Sequence, residues 1–304
     1  DHFIAHRVFP NVPVQSKSDQ YYVWDRSAFN RSRAKKRAPA TRSAYAGVGV
    51  RTEDYSVDVW AASDTIPDQV RLNADPGLNL EQTKARTLME GMLITKEEDW
   101  AASYFTTGVW GPEIAGNASP SAGQTEFWDD DASTPIEDVR KGRTAMLEAT
   151  GRMPNTMTIS QPVLDALVDH PDIVDRIKYS GGIGNQNPAM TSVQALAQLF
   201  EMDRILVSRA NVNRAPEGAA DNTGFIAGKH ALLSYAPAAP GLMEASAGYT
   251  FSWTGYLDGA NEFGIAVRNG REDPIRADWV EAEMAFQHKV TAADLGYIFT
   301  GIVH

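Results

Sequence analysis

The sequence predicts an α+β fold, on three observations. One long amphipathic helix is legible from Asn79 to Phe105, strands alternate with short helices from Thr134 to Ser208, and a strand of comparable length runs from Asp278 to Val290. With 304 residues, 43% of them hydrophobic, the chain can build one large domain or two of ordinary size around a substantial core. No stretch approaches the 18 or more apolar residues of a membrane helix, and the opening DHFIAHRVFP lacks the basic-then-apolar order of a signal peptide. With no cysteine, disulfides and thiolate metal sites are excluded.

Charge is unevenly spread. The formal net charge of -11 argues against general affinity for nucleic acid. Yet Arg26, Arg31, Arg33, Lys35, Lys36, Arg37, Arg42 and Arg51 lie in one segment without a single acidic residue, which leaves 20 basic side chains to face all 39 acidic ones elsewhere. A strongly basic segment is carried on an acidic body.

Taken in order, residues 1–20 contain Pro10 and Pro13 with little regular period and read as an extended arm without a core of its own. QYYVWDRSAF (Gln20–Phe29) and YSVDVW (Tyr55–Trp60) read as strands. The basic stretch between them cannot be packed into an interior, so it predicts a protruding hairpin loop. In the long helix, Ala85, Leu88, Met89, Met92, Leu93, Trp100, Ala101 and Tyr104 form one apolar stripe. Asn79 is its expected cap, and Glu81–Lys84 and Arg86–Glu90 its expected ion pairs. At about 1.5 Å per residue it spans roughly 37 Å, the length of a spine.

Residues 106–132 have loop composition. Thr134 and Glu137 form a capping box, Pro135 opens a helix and Gly151 closes it. TMTIS (Thr156–Ser160) predicts a buried strand, Ser160 a cap for a helix through Val168, Pro171 a helix toward Tyr179, and Thr191 a helix running into the strand RILVS (Arg204–Ser208). GFIAGKHALLSY and AGYTFSWTGY follow as antiparallel strands. FGIAVRNGRE predicts a hairpin turning at Asn269–Gly270. In the long strand, Trp279, Glu281, Glu283, Ala285 and Gln287 share one face, Val280, Ala282, Met284, Phe286 and His288 the other, and the strand is expected to lie along the spine.

Templates for chemistry find little. Six scattered histidines form no HExxH pair, GVGV (Gly47–Val50) and SGGIGN (Ser180–Asn185) are not placed as phosphate cradles, and no GxSxG elbow occurs. Asp129, Asp130 and Asp131 are the best metal candidate, for calcium, beside the simpler reading of an acidic loop. No cofactor is implied. A charged protruding loop, an arm and no legible active site suit a protein that contacts copies of itself.

The order of parts then resembles the major capsid proteins of tailed bacteriophages. The residues that carry the resemblance are the arm, the loop RSRAKKRAPATR, the spine LMEGMLITKEEDWAASYF, the segment RMPNTMTISQPVLDALVDHPDIVDRIKY and the ending VTAADLGYIFTGIV. The resemblance implies an N-terminal arm at 1–20, an extended hairpin loop at 21–72, a peripheral domain with the spine at 73–132, an axial mixed α/β domain at 133–262, and return strands with the C-terminus at 263–304. It implies a structural, non-enzymatic subunit that forms pentamers and hexamers of an icosahedral virion shell around double-stranded DNA, touched without sequence preference. Assembly would occur in a bacterial cytoplasm, with scaffolding, portal and decoration proteins as further partners and no membrane.

The loop cations are expected to dock on a neighbour's Glu90, Glu97, Glu98, Asp99 and Asp129–Asp131. Lys35 or Lys36 lies in the region where some family members cross-link to an asparagine, though no asparagine can be matched to it. Because the chain opens at Asp1 and not at Met, an upstream segment, such as a scaffolding domain removed in maturation, is expected in the gene product. An encapsulin-type nanocompartment shares the implied fold and is the nearest rival. A mixed α/β enzyme is the rival of another class.

Overall fold

The computed structural model describes residues 2–26, 29–32, 34–43, 45, 49–75, 77–180, 192–216, 218–257, 260 and 264–304. In chain order its elements are α1 (Ala5–Val8), β1 (Asn11–Val14), β2 (Ser18–Val23), β3 (Arg51–Ser56), β4 (Asp58–Pro67), α2 (Asp68–Leu72), α3 (Leu80–Tyr104), β5 (Glu113–Gly116) and β6 (Gln124–Thr125). Then come α4 (Pro135–Thr150), β7 (Thr156–Ser160), α5 (Gln161–Asp169), α6 (Pro171–Ser180), α7 (Val193–Leu199), β8 (Arg204–Ser208), β9 (Asn211–Asn213), β10 (Thr223–Phe225), β11 (Ala231–Ser234), β12 (Gly248–Trp253), β13 (Ile265–Glu272), β14 (Ala277–Val290) and β15 (Gly296–Thr300). The expected α+β mixture is present.

Two sheets organise the chain. The larger has the order β6-β5-β15-β11-β7-β8. Every residue of β7, β11 and β15 is buried, so these strands alternate between two cores and not between core and water. Met157, Ile159, Ala231, Leu233, Tyr297 and Phe299 face the core built with α4 to α7, whereas Leu206, Leu232 and Ile298 face a second core shared with α1 and the end of α3. Gly296 has no room for a side chain: a Cβ there would fall 2.0 Å from the Trp110 ring.

The second sheet runs β1-β12-β14-β13, with β4 also paired along β14. As expected, β14 lies on the spine: Leu88, Met89, Met92 and Leu93 of α3 pack on Ile265, Ala282, Met284 and Phe286. The other end of α3 sends Trp100, Ala101 and Phe105 into the core under the larger sheet. One helix thus ties both sheets together. Asn79 caps it, its side chain accepting from Gln82 N at 3.1 Å. Its polar face pairs with other elements, however, Lys84 with Asp64 (2.6 Å) and Glu81 with Arg71 (2.7 Å), because those carboxylate and guanidinium groups come closer than the helix's own.

Other expectations need correction. The Thr134 and Ser160 side chains make no cap bonds, and the caps rely on backbone geometry with Pro in the first turn of each helix. Ser192 caps α7 through Ala195 N, and Thr191, the expected opening residue, lies outside the described residues. β13 continues through Asn269–Gly270, and the turn is made by Asp273–Ile275 with Arg276 at φ 50°. β11 and β12 are antiparallel strands, but to β15 and β7 in one sheet and to β14 in the other.

The arm departs furthest from its reading. Ile4, Ala5, Val8 and Phe9 are buried, β1 pairs in parallel with β12, and Phe9 sits 5.2 to 6.2 Å from the rings of Trp100, Tyr104, Trp110 and His288. Pro10 and Pro13 signal extended chain correctly; they carry no information about whether that chain finds an edge strand to pair with. The sheets also cut across the expected boundaries, since β5, β6 and β15 join the sheet of the 133–262 region while β12 joins that of the spine.

Candidate assembly surfaces

The basic loop begins as the β2–β3 hairpin, rooted by Tyr21 and Tyr55 against Phe251 (5.4 and 4.7 Å between rings). Beyond the root it is tied to its own subunit. Trp24 N donates to Thr291 O (2.7 Å), Arg26 pairs with Asp294 (2.7 Å), and Asn30 lies at the end of α4, where its amide, with the oxygen turned toward Gly151 N (2.7 Å), donates to Thr150 O (3.2 Å); the helix itself is closed by Gly151 N donating to Leu147 O. Only past Asn30 does the chain leave the body. Residues 31, 32, 34–43 and 45 are all exposed.

The cations therefore divide. Arg26 and Arg51 are paired within the chain, the latter with Glu53 at 2.8 Å. Arg37 donates to Ser43 Oγ at 3.3 Å, while Arg31, Lys35, Lys36 and Arg42 make no ion pair among the described residues. Arg33 lies outside the described residues.

The expected counter-charges divide as well. Glu90 is exposed. Glu98 is engaged by Arg214 at 3.3 Å, and Asp99 is half-buried, its carboxyl pushed up by burial and by the charge of Asp58. Glu97 is no surface charge at all: it is 1% exposed. Its Oε2 accepts from Ile4 N (2.9 Å) and Ala5 N (2.8 Å), and its Oε1 from Ser208 Oγ (3.2 Å). Burial nevertheless pushes its carboxyl up to about 7, against those three hydrogen bonds and the neighbouring Lys96 charge. Lys96, also buried, is pulled down to about 8 by desolvation and lies over the Phe286 ring at 5.3 Å.

Around the acidic loop, Asp129 holds His304 by its backbone N (3.0 Å) and ring Nδ1 (3.1 Å), and Asp130 accepts from Ala132 N (3.2 Å). Asp129 and Asp131 share a shallow cavity of about 360 Å³ with Asp165, Asp169 and His304. His170, at its back, is saturated by Ser133 Oγ, Asp130 O and Asp172 N. No group of three His, Asp or Glu side chains converges on one point among the described residues. No described helix is long and apolar enough to cross a membrane.

A spine helix bridging two sheets, an arm paired onto the second sheet and a long loop on a hairpin root define the fold of tailed-phage major capsid proteins, and the solved structures agree. A phage-related protein from Bordetella bronchiseptica RB50 superposes with a TM-score of 0.74 at 21% identity, covering 99% of this chain and 92% of that one. The capsid of cyanophage P-SCSP1u gives 0.59 at 13% identity, with coverage of 96% and 86%. In sequence, the chain is 24% identical over 310 residues to the major capsid protein of Burkholderia phage BcepMu, covering 99% of this chain and 91% of that protein. The encapsulin SrpI of Synechococcus elongatus shares the fold more loosely, with a TM-score of 0.52 at 9% identity over 98% and 86% of the two chains. No protein-family model matches the chain.

Proposed function

We propose that this chain is the shell-building subunit of a tailed-phage capsid, a structural and not a catalytic protein, which assembles as rings of copies into a closed particle around double-stranded DNA. The observation that carries the reading is the segment after Asn30. It is exposed throughout its described part, bears Arg31, Lys35, Lys36 and Arg42 without ion pairs among the described residues, and projects from a body with an acidic balance of charge. Such a segment gains counter-charges by lying on another copy. A single exposed pair contributes only about 0–1 kcal/mol, but many around a ring steer docking and set register. Glu90 and the Asp129, Asp131, Asp165 and Asp169 cavity are the surfaces that suit it.

The similarity to the BcepMu protein supports the phage shell over the encapsulin reading, as do the length and charge of the loop. Scaffolding, portal and decoration proteins belong to this reading as further partners, and the bacterial cytoplasm as the place of assembly. Electron microscopy of the purified protein tests it: closed shells are expected, filled with DNA when made in an infected host. A protein that stays monomeric at high concentration, with or without a scaffold, overturns the reading, and shells loaded with a protein cargo favour the encapsulin.

A further inference from the structure

Between the arm and the larger sheet opens a cavity of about 440 Å³, lined among others by His6, Arg7, Asn155, Asp203, Arg204 and the turn from Pro237 to Pro240. Two arginines line it, Arg7 and Arg204. Arg204 enters from β8, its Nε donating to Thr156 Oγ1 (3.0 Å) and its Nη2 to the Arg7 carbonyl (3.3 Å), so Nη1 keeps its donors. Arg7 comes from the exposed side of α1 and makes no ion pair among the described residues.

The far wall is stiff. The Asn155 side-chain amide donates to Ala236 O (2.7 Å) and accepts from Ala236 N (3.1 Å), and the Asn155 backbone carbonyl accepts from the backbone N–H groups of Asp203 and Arg204. Asp203 also lines the cavity, but its carboxylate is not within ion-pair distance of either arginine. His6 is held neutral by burial and by Lys96 and Arg7, so it adds no third positive charge at neutral pH.

Holding two arginines together without a bound carboxylate costs energy in an isolated subunit. Burial and then the Arg7 charge work against the Arg204 cation, and the Asp203 charge offsets them only in part. The cost is reversed when an anion enters, because planar guanidinium forks match oxyanions with paired N–H donors. We propose that this cavity binds an oxyanion of the phosphate class between Arg7 and Arg204, and that the bound group fastens the arm to the sheet.

The source could be inorganic phosphate or the phosphodiester of packaged DNA, and the test separates them. Unassembled full-length subunit is titrated with inorganic phosphate against chloride at matched ionic strength, reading thermal midpoint and hydrogen exchange of residues 2–10. Phosphate at millimolar concentration is expected to raise the midpoint and slow exchange in the arm. Arg204→Gln and Arg7→Gln should each weaken the response at least tenfold, whereas Arg42→Gln in the loop should not. Because Arg7 is exposed, its variant tests the idea even if Arg204→Gln folds poorly. A short duplex that competes with phosphate in the wild type and not in Arg7→Gln identifies the phosphodiester as the source; phosphate alone responding identifies the free ion. Equal responses to chloride and phosphate, or a full response in Arg7→Gln, overturn the proposal.

Discussion

Replacing Glu97 by glutamine and, separately, by alanine divides the two things its carboxylate does, which are to accept hydrogen bonds from the arm and to carry a buried charge. Glutamine keeps an oxygen for the Ile4 and Ala5 N–H groups and can turn its NH₂ to Ser208 Oγ, whereas alanine leaves both backbone donors without an acceptor. Each stranded donor costs about 1–3 kcal/mol, so Ala should undock the arm by about 2–6 kcal/mol relative to Gln. Hydrogen exchange at residues 2–14 reads this directly, and protection in Glu97→Ala should fall at least about 30-fold below Glu97→Gln.

The charge is read by pH. The folded-state pKa of about 7 lies above the ordinary value of 4.5, so the folded protein binds the extra proton between these limits. The group's contribution is therefore greatest below pH 4.5 and is lost as the pH rises to 7, by up to about 3 kcal/mol. Glu97→Gln lacks that loss. Its stability relative to wild type should climb across pH 4.5–7 and then level off, less the share of the Lys96 charge that Glu97 supports. The wild type itself has opposing slopes, since His6 and His288, pulled down to about 4 and about 3 chiefly by burial, favour the fold more as the pH rises toward 6.5. Only the difference between variant and wild type isolates Glu97. Equal arm protection in the two variants, or a pH-independent difference between Glu97→Gln and wild type, would refute the reasoning.

Further tests bear on packing and on the loop. Phe9→Ala removes a fully buried ring from among Trp100, Tyr104, Trp110 and His288 and should lower unfolding stability by about 3–5 kcal/mol in denaturant titration. Gly296→Ala places a methyl 2.0 Å from the Trp110 ring and should cost about 1–3 kcal/mol or more by the same measurement. Asn30→Ala removes the amide that ties the loop to Thr150 O and Gly151 N at the end of α4 and should raise protease sensitivity near residue 30 while leaving the thermal midpoint within a few degrees. Reversal of Arg33, Lys35, Lys36 and Arg37 to glutamate should leave a folded subunit that forms no shells; normal shells, seen by electron microscopy, would remove the docking idea and point to DNA packaging as the role of the charge.

Local pattern alone determined the elements whose reasons are local. The 3.6-residue stripe and Asn79 define α3, Pro135 and Gly151 bracket α4, and TMTIS and RILVS stand out as apolar runs between helices. The exposed basic stretch was legible too, because eight like charges cannot be buried together. What tertiary structure decided is who meets whom. Glu97 looks like one more acid on a charged helix until Ile4, 93 residues earlier, brings its N–H to it. The arm looks unpartnered until β12 offers it an edge, and Arg26 looks free until Asp294 arrives. Periodicity encodes which side of an element is apolar, but the partner for a buried polar group is chosen by the packing of distant segments, where desolvation makes one hydrogen bond decisive.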